Sequence, residues 1–327
     1  MINKIIPKRK NVWRYSLIHL ALFVFMLIVL DFAAGTVLKH FFFKLKSGEQ
    51  YNTTYAIEEA KVDLIVFGSS RAVHHYYPSI FEHGLKVSYF NAGRDGQKST
   101  LFHYAVLKGI LKRYTPKLVI LDVMNGELGD SIYSYDKLSS LSPYYAKHPE
   151  MRPIIELRSD YEKLRMLSSI YPFNSLVMSI ISGNINRDKK NNADEKGYAP
   201  LSSTLRISKP VSTITYQQEY ALDSIKVRVF RSFIEDCIKA HIKLYIVCSP
   251  YYQRFIGTDY SILTIKKMAA AYNVEFFDFS QESTLLKSPE LFGDIWHLNQ
   301  NGAKIFSNML VDQIKISEKL DPISYIK

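Results

Sequence analysis

Residues 62–72 read VDLIVFGSSRA, an apolar run broken only by Asp63 and closed by a glycine and two serines. A short, continuous run of this kind, rich in Val, Ile and Phe and ending at turn residues, suits a strand buried on both faces. Four more short apolar runs follow, VSYFNAG (87–93), KLVILDV (117–123), KLYIVCSP (243–250) and VEFFDFS (274–280), and four of the five are near-continuous in apolar residues. Between them lie amphipathic stretches of helical length, at Lys98–Arg113, Tyr216–Ala240 and Ile262–Tyr272, and a last one in NGAKIFSNMLVDQI (301–314). Alternation of strand and helix predicts a three-layer α/β/α domain around a five-stranded parallel sheet, spanning about residues 61–320.

The alternation stops between Gly126 and Tyr216. This block is rich in Tyr and Ser, carries a helical pattern near Pro153–Met166, and contains the polar run NINRDKKNNADEKG at 184–197. A structureless loop of that length does not suit a compact domain. The block reads as a helical cap inserted over one edge of the sheet, with 184–197 as its mobile tip.

The net charge of +11 is unevenly placed. Residues 1–46 hold eight Lys/Arg against Asp31, which is +7 of the +11 and leaves +4 for the other 281 residues. A nucleic-acid binder concentrates basic residues on its folded part and carries a matching motif; neither is present. Residues 15–38, YSLIHLALFVFMLIVLDFAAGTVL, contain one formal charge, Asp31. A helix of that length rises about 36 Å, enough for a hydrocarbon core of about 30 Å. Five Lys/Arg precede it, so residues 1–14 read as a cytoplasmic tail, 15–38 as an uncleaved anchor, and the remainder as exported. The competing reading is a signal peptide cleaved after Ala33-Ala34, against which the apolar run is long. Asp31 and His19 are costly in lipid and call for a partner. Residues 39–60, polar from Ser47 to Thr54, read as a linker. Cys237 and Cys248 fall on a helix and on the far part of the following strand, a placement that favours two buried thiols over a disulfide.

In open parallel sheets ligands bind at the carboxyl ends of the strands. Those ends here carry Gly68-Ser69-Ser70-Arg71, Gly93-Arg94-Asp95-Gly96, Met124-Asn125-Gly126-Glu127 and Ser249-Pro250-Tyr251. A serine nucleophile needs a base in hydrogen-bond reach and donors for the oxyanion. Taken alone, FGSSRA equally describes a turn with a capping serine. His74 and His75 follow Ser70 too closely on the same helix to reach back to its hydroxyl, and suit lining the site. With His83 they have no metal-ligand spacing, and no metal or cofactor signature is present. Near the C-terminus, FGDIWHLNQNG (292–302) sets Asp294 three residues before His297, the spacing of a carboxylate orienting an imidazole. The same pair could equally cap a loop.

Gly68-Ser69-Ser70 after a buried strand, together with Asp294-Ile295-Trp296-His297 before the last helix, resembles the SGNH (GDSL-like) hydrolase superfamily. That resemblance implies Ser70 as nucleophile, His297 as base and Asp294 as its orienting acid. Ser69 stands where the family has Asp. NAGRDG (91–96) matches the family's second block and implies that Gly96 donates its N–H to the oxyanion. The third block departs: Asn125 sits one position out of register and Glu127 follows where Asp is usual, so Asn125 is an oxyanion donor only by this looser match. The resemblance covers about Val62–Val123 and Lys243–Leu310 and leaves the insert unmatched.

Within the superfamily, the anchored exported members look closest, resembling the D-alanine transfer protein of teichoic acids and the alginate-type O-acetyltransferases. This implies esterase or O-acyltransferase chemistry on a cell-envelope glycan, beside a membrane-embedded acyl-donor protein, from the outer side of a bacterial-type inner membrane. Arg71 and Arg94 at the strand ends read as contacts for an anionic sugar or as ordinary ion-pair partners. The altered third block leaves a second reading: an inactive glycan-binding or assembly subunit of the same kind of complex.

Overall fold

The computed structural model describes residues 12–185, 196–207, 211–216 and 220–320. The chain opens with α1 (Val12–Phe43), then α2 (Gly48–Glu58), β1 (Leu64–Phe67), α3 (Ser70–His75), α4 (Pro78–Leu85), β2 (Tyr89–Asn91), α5 (Thr100–Leu111) and β3 (Leu118–Asp122). The insert contributes a series of short helical turns, then α6 (Val177–Ile185) and the two-residue β4 (Ile214–Thr215). The alternation resumes with α7 (Ser224–Lys239), β5 (Lys243–Cys248), β6 (Phe255–Ile256), α8 (Tyr260–Ala271), β7 (Glu275–Asp278) and α9 (Gln300–Leu320).

The main sheet has order β2-β1-β3-β5-β7, and every pair in it is parallel. All five expected strands are present, and their side chains alternate between two cores. Ile65, Phe67, Val119, Leu121, Leu244 and Ile246 face a core built with α2, α5, α7 and α8. Leu64, Val66, Ile120, Tyr245 and Val247 face a second core built with α3, α4 and α9. Burial on both sides is why these strands read as unbroken apolar runs. Gly68, just past β1, has φ +146°, and a Cβ there would lie 2.8 Å from Asp122. Only glycine lets the chain turn this close to β3.

Asp223 and Asp259 cap the helices after the insert by accepting backbone N–H groups, from Ile225 and Lys226 in α7 and from Ile262 in α8. The Asp223 cap starts α7 well after Tyr216, where the apolar pattern alone begins. Cys237 and Cys248 are free thiols and both are buried.

Three expectations change. Residues 39–60 are not a linker: α1 continues to Phe43 and α2 follows, with Phe42, Leu45, Ala56, Ile57 and Ala60 buried in the main core. Arg94 ties α2 down, donating to Thr53 Oγ1 (2.7 Å) and Glu49 O (3.2 Å). The helix expected near Pro153–Met166 is broken into pieces, Arg152–Ile155, Glu156–Arg158 and Glu162–Arg165. Finally, the insert divides in two. Its first part, to Ile185, packs on α5 and α1 instead of an edge of the sheet. Its second part runs as a strap across the carboxyl ends of the strands. Asn91 N–H donates to Lys196 O, Ala199 N–H to Val73 O, and Leu205 N–H to Phe292 O. β4 then pairs in parallel with β6. The tip expected at 184–197 falls largely on residues 186–195, outside the described residues.

Candidate active site

Ser70 is the first residue of α3, and the turn made by Gly68 aims it out of the sheet end. Its hydroxyl lies 2.8 Å from His297 Nε2. The other ring nitrogen, Nδ1, is 2.9 and 3.0 Å from the two carboxylate oxygens of Asp294. A carboxylate can only accept, so Nδ1 carries the proton and Nε2 is left to accept from Ser70. Burial raises the Asp294 carboxyl, but the His297 side chain and the N–H groups of Trp296 and His297 outweigh it and hold it below the usual range. Asp294 is thus held as a carboxylate against Nδ1, the arrangement that a proton relay needs.

The loop carrying His297 is held from below by His75. Leu298 N–H donates to His75 Nε2 (3.0 Å), which fixes the tautomer, so His75 Nδ1–H points to Ser249 Oγ at 3.1 Å. Burial, then His297, Arg71 and His74, push the His75 imidazole well below its ordinary value, so it stays neutral. His74 sits edge-on to His297, with ring centroids 5.4 Å apart, and its Nδ1 is 2.6 Å from Ala199 O of the strap. The paired histidines thus serve as brace and lining.

Ser69 is buried and points to Met124 Sδ, away from the base. Ser70, Gly96, Asn125 and His297 border one cleft of about 660 Å³. The loop after β2 is pressed against the end of β1 by Arg94 N–H donating to Gly68 O at 2.9 Å, which brings Gly96 to the cleft. Asn125 Nδ2 donates to Tyr251 OH at 2.7 Å and has a second N–H available. Gly126 N–H donates to the α8 cap Asp259, which also accepts from Tyr220 OH, so the third strand end is fixed from α8. One wall is aromatic: Tyr216 stacks on Phe255 at 4.6 Å and 6°, beside Tyr251 and Trp296.

The two arginines are not free to bind a ligand. Arg71 borders the cleft, but its guanidinium is buried and donates to Ser249 O, Val123 O and Asp122 Oδ1. Its ion-pair distance to Asp122 is 3.4 Å. Arg94 is buried against α2 and Glu49. The ion-pair alternative holds for both, because cations this buried need charged or hydrogen-bonded partners within the protein.

Glu127 is also turned away from the cleft. It is buried and accepts from Thr100 Oγ1 at 2.6 Å, and burial raises its carboxyl from 4.5 to about 7. Between those values the folded chain holds a proton that the unfolded chain releases. Glu127 therefore favours the fold at the acidic end and costs stability as the pH rises through 7. Wild type should lose about 3 kcal/mol relative to Glu127→Gln between pH 4.5 and 7.5, at about 1.4 kcal/mol per pKa unit. Urea denaturation of both proteins across that range measures it.

The structure brings together Ser70, His297 and Asp294, as the sequence spacing suggests, and adds what the sequence does not announce: His75 as a brace, Asp259 and the aromatic wall. The Asp cap before α8 was the one available signal. The wall depends on pairing between β4 and β6, each two residues long.

No protein-family model matches the chain, and no curated protein matches it. Among solved structures, the fold is similar to that of a protein from Bacteroides fragilis NCTC 9343 described as a "putative acylhydrolase". The superposition has a TM-score of 0.38 and 14% identity, and covers 83% of this chain and 99% of the other.

Proposed function

We propose that the protein is a membrane-anchored serine acyl-ester enzyme acting on a cell-envelope glycan. The observation that carries this reading is the unbroken hydrogen-bonded chain from Ser70 through His297 to Asp294. Ser70 Oγ attacks the acyl carbon while His297 Nε2 takes its proton. The tetrahedral oxyanion is received by the N–H groups of Ser70 and Gly96 and the Asn125 amide. Collapse expels the first alcohol, which takes the proton back from His297, and leaves an acyl-Ser70 ester. A second alcohol or water then gives its proton to His297 and attacks that ester, and His297 returns the proton to the departing Ser70 Oγ.

The aromatic wall of Tyr216, Phe255 and Trp296 suits the apolar face of a sugar ring. Ile214, Thr215 and Tyr216 of the strap line the cleft, and in this reading a glycan hydroxyl seated against them outcompetes water for the acyl group. In this reading α1 spans the inner membrane with its N-terminus in the cytoplasm, and the domain works outside it beside a membrane-embedded acyl-donor protein. The helix is long and apolar enough to cross a bilayer.

The test uses full-length protein in detergent, because the end of α1 and the turn after it contribute Phe42 and Leu45 to the folded core. A fluorophosphonate probe mapped by mass spectrometry should label Ser70, and the label should vanish in Ser70→Ala and His297→Ala. Release of p-nitrophenol from p-nitrophenyl acetate, with and without added oligosaccharide, then separates transfer from hydrolysis. Well-folded protein that takes up no probe, alone or in native membranes, would leave the glycan-binding or assembly role instead.

A further inference from the structure

Asp31, the one formal charge in the apolar part of α1, has its partners in the insert. Its carboxylate accepts from Ser168 Oγ at 2.6 Å, from Ser169 N–H at 2.6 Å and from Ile170 N–H at 3.3 Å. One turn on, Gly35 lies against the same segment, where a Cβ would come within 2.4 Å of the Ser169 backbone. Farther along, Asn184 Nδ2 donates to Phe41 O, and Phe42 is buried. From Asp31 outward, α1 is thus a structural part of the domain. From Trp13 to Leu30 it is exposed along its whole length. That bare segment rises about 27 Å, close to the thickness of a hydrocarbon core. In a bilayer, Asp31 would mark the outer interface, and the chain around Ser168 would reach down to that level.

The chain at that level is unusually apolar on its outside. Leu164 and Leu167 are 64% and 78% exposed, with exposed Lys163 and Arg165 beside them. Both leucines lie within six residues of Ser169 and Ile170, which hold Asp31. Clustered exposed apolar side chains mark interaction surfaces. Basic residues at their border complement anionic headgroups.

We propose that Leu164 and Leu167 enter the outer leaflet of the bilayer, with Lys163 and Arg165 at the lipid phosphates. The domain is then seated on the membrane in one orientation instead of hanging from a free helix. This rests on the reading of α1 as a membrane span. It also gives Asp31 a function, because the carboxylate holds the seating segment to the anchor.

The test uses full-length protein in phosphatidylcholine–phosphatidylglycerol vesicles. Single variants Leu164→Cys and Leu167→Cys carry a fluorescent label, the native thiols being buried. Leu22→Cys reports on the anchor, and Ile238→Cys on α7 is the reference exposed to water. Labels at 164 and 167 should be quenched several-fold more by nitroxide lipids than the label at 238, and correspondingly less by iodide. Iodide quenching equal to that at 238 would overturn the proposal and leave the anchor intact if 22 is lipid-quenched. Protection from both quenchers would overturn it in favour of a protein partner on this face. If the label at 22 also escapes the nitroxide lipids, the reading of α1 as a span fails with it.

Discussion

Ser70→Ala and His297→Ala should each lower the turnover of an ester substrate by roughly three to six orders of magnitude, with far-UV circular dichroism unchanged. The double variant should be no worse than either single one. Nucleophile and base act on the same proton, so losing one makes the other useless. The geometry sharpens the expectation, because His297 Nε2 has Ser70 as its partner at 2.8 Å while Nδ1 is held by Asp294. Asp294→Asn should cost less than either, because Asp294 is exposed to water that can partly replace it as a partner for Nδ1. Steady-state rates on p-nitrophenyl acetate decide the matter. Additive losses in the double variant, or a residual rate near wild type in either single one, would remove Ser70 and His297 from the chemistry.

Arg71→Ala is expected to destabilise the fold by about 3–5 kcal/mol, the usual result of leaving one member of a buried ion pair alone. Arg71 is the cation facing Asp122, and it also satisfies the carbonyls of Ser249 and Val123 from two neighbouring strands. Burial already pushes the Asp122 carboxyl up against the pull of Arg71. Without the arginine, Asp122 must take up a proton or remain an uncompensated charge. Adding Asp122→Leu in the Arg71→Met background should recover much of the loss, because an apolar pair of similar volume needs no solvation. Urea midpoints measure both variants. If Arg71 instead bound substrate, Arg71→Ala would raise KM without moving the midpoint, and that outcome would overturn the structural role.

The sheet was legible because its strands are covered on both faces, so Leu64–Phe67 or Leu244–Val247 carry no polar interruption. The last helix and its Asp294–His297 spacing were legible because both pair members lie three residues apart. What sequence concealed depends on contacts between distant segments. α2 buries only Thr53, Ala56 and Ile57, too little to show an apolar face, and Arg94 supplies much of its attachment. The insert is interrupted by Pro143, Pro149, Pro153 and Pro172, so no helical period develops long enough to read. The His75 brace joins residues 223 positions apart, and nothing local announces it.

The separation between Ser70 and His297, 227 positions, has a consequence for the life of the chain. Synthesis proceeds from the N-terminus, so Ser70 emerges long before its base. Until α9 docks on α3 and α4, nothing holds the His297 loop over the sheet end, and the hydroxyl remains an ordinary alcohol. Pairings over such distances also close late in folding. Under the proposed mechanism the nascent chain is therefore latent: it would not acylate itself or its surroundings while it is being made. A chain cut short anywhere before His297 stays inert, however well its first strands fold.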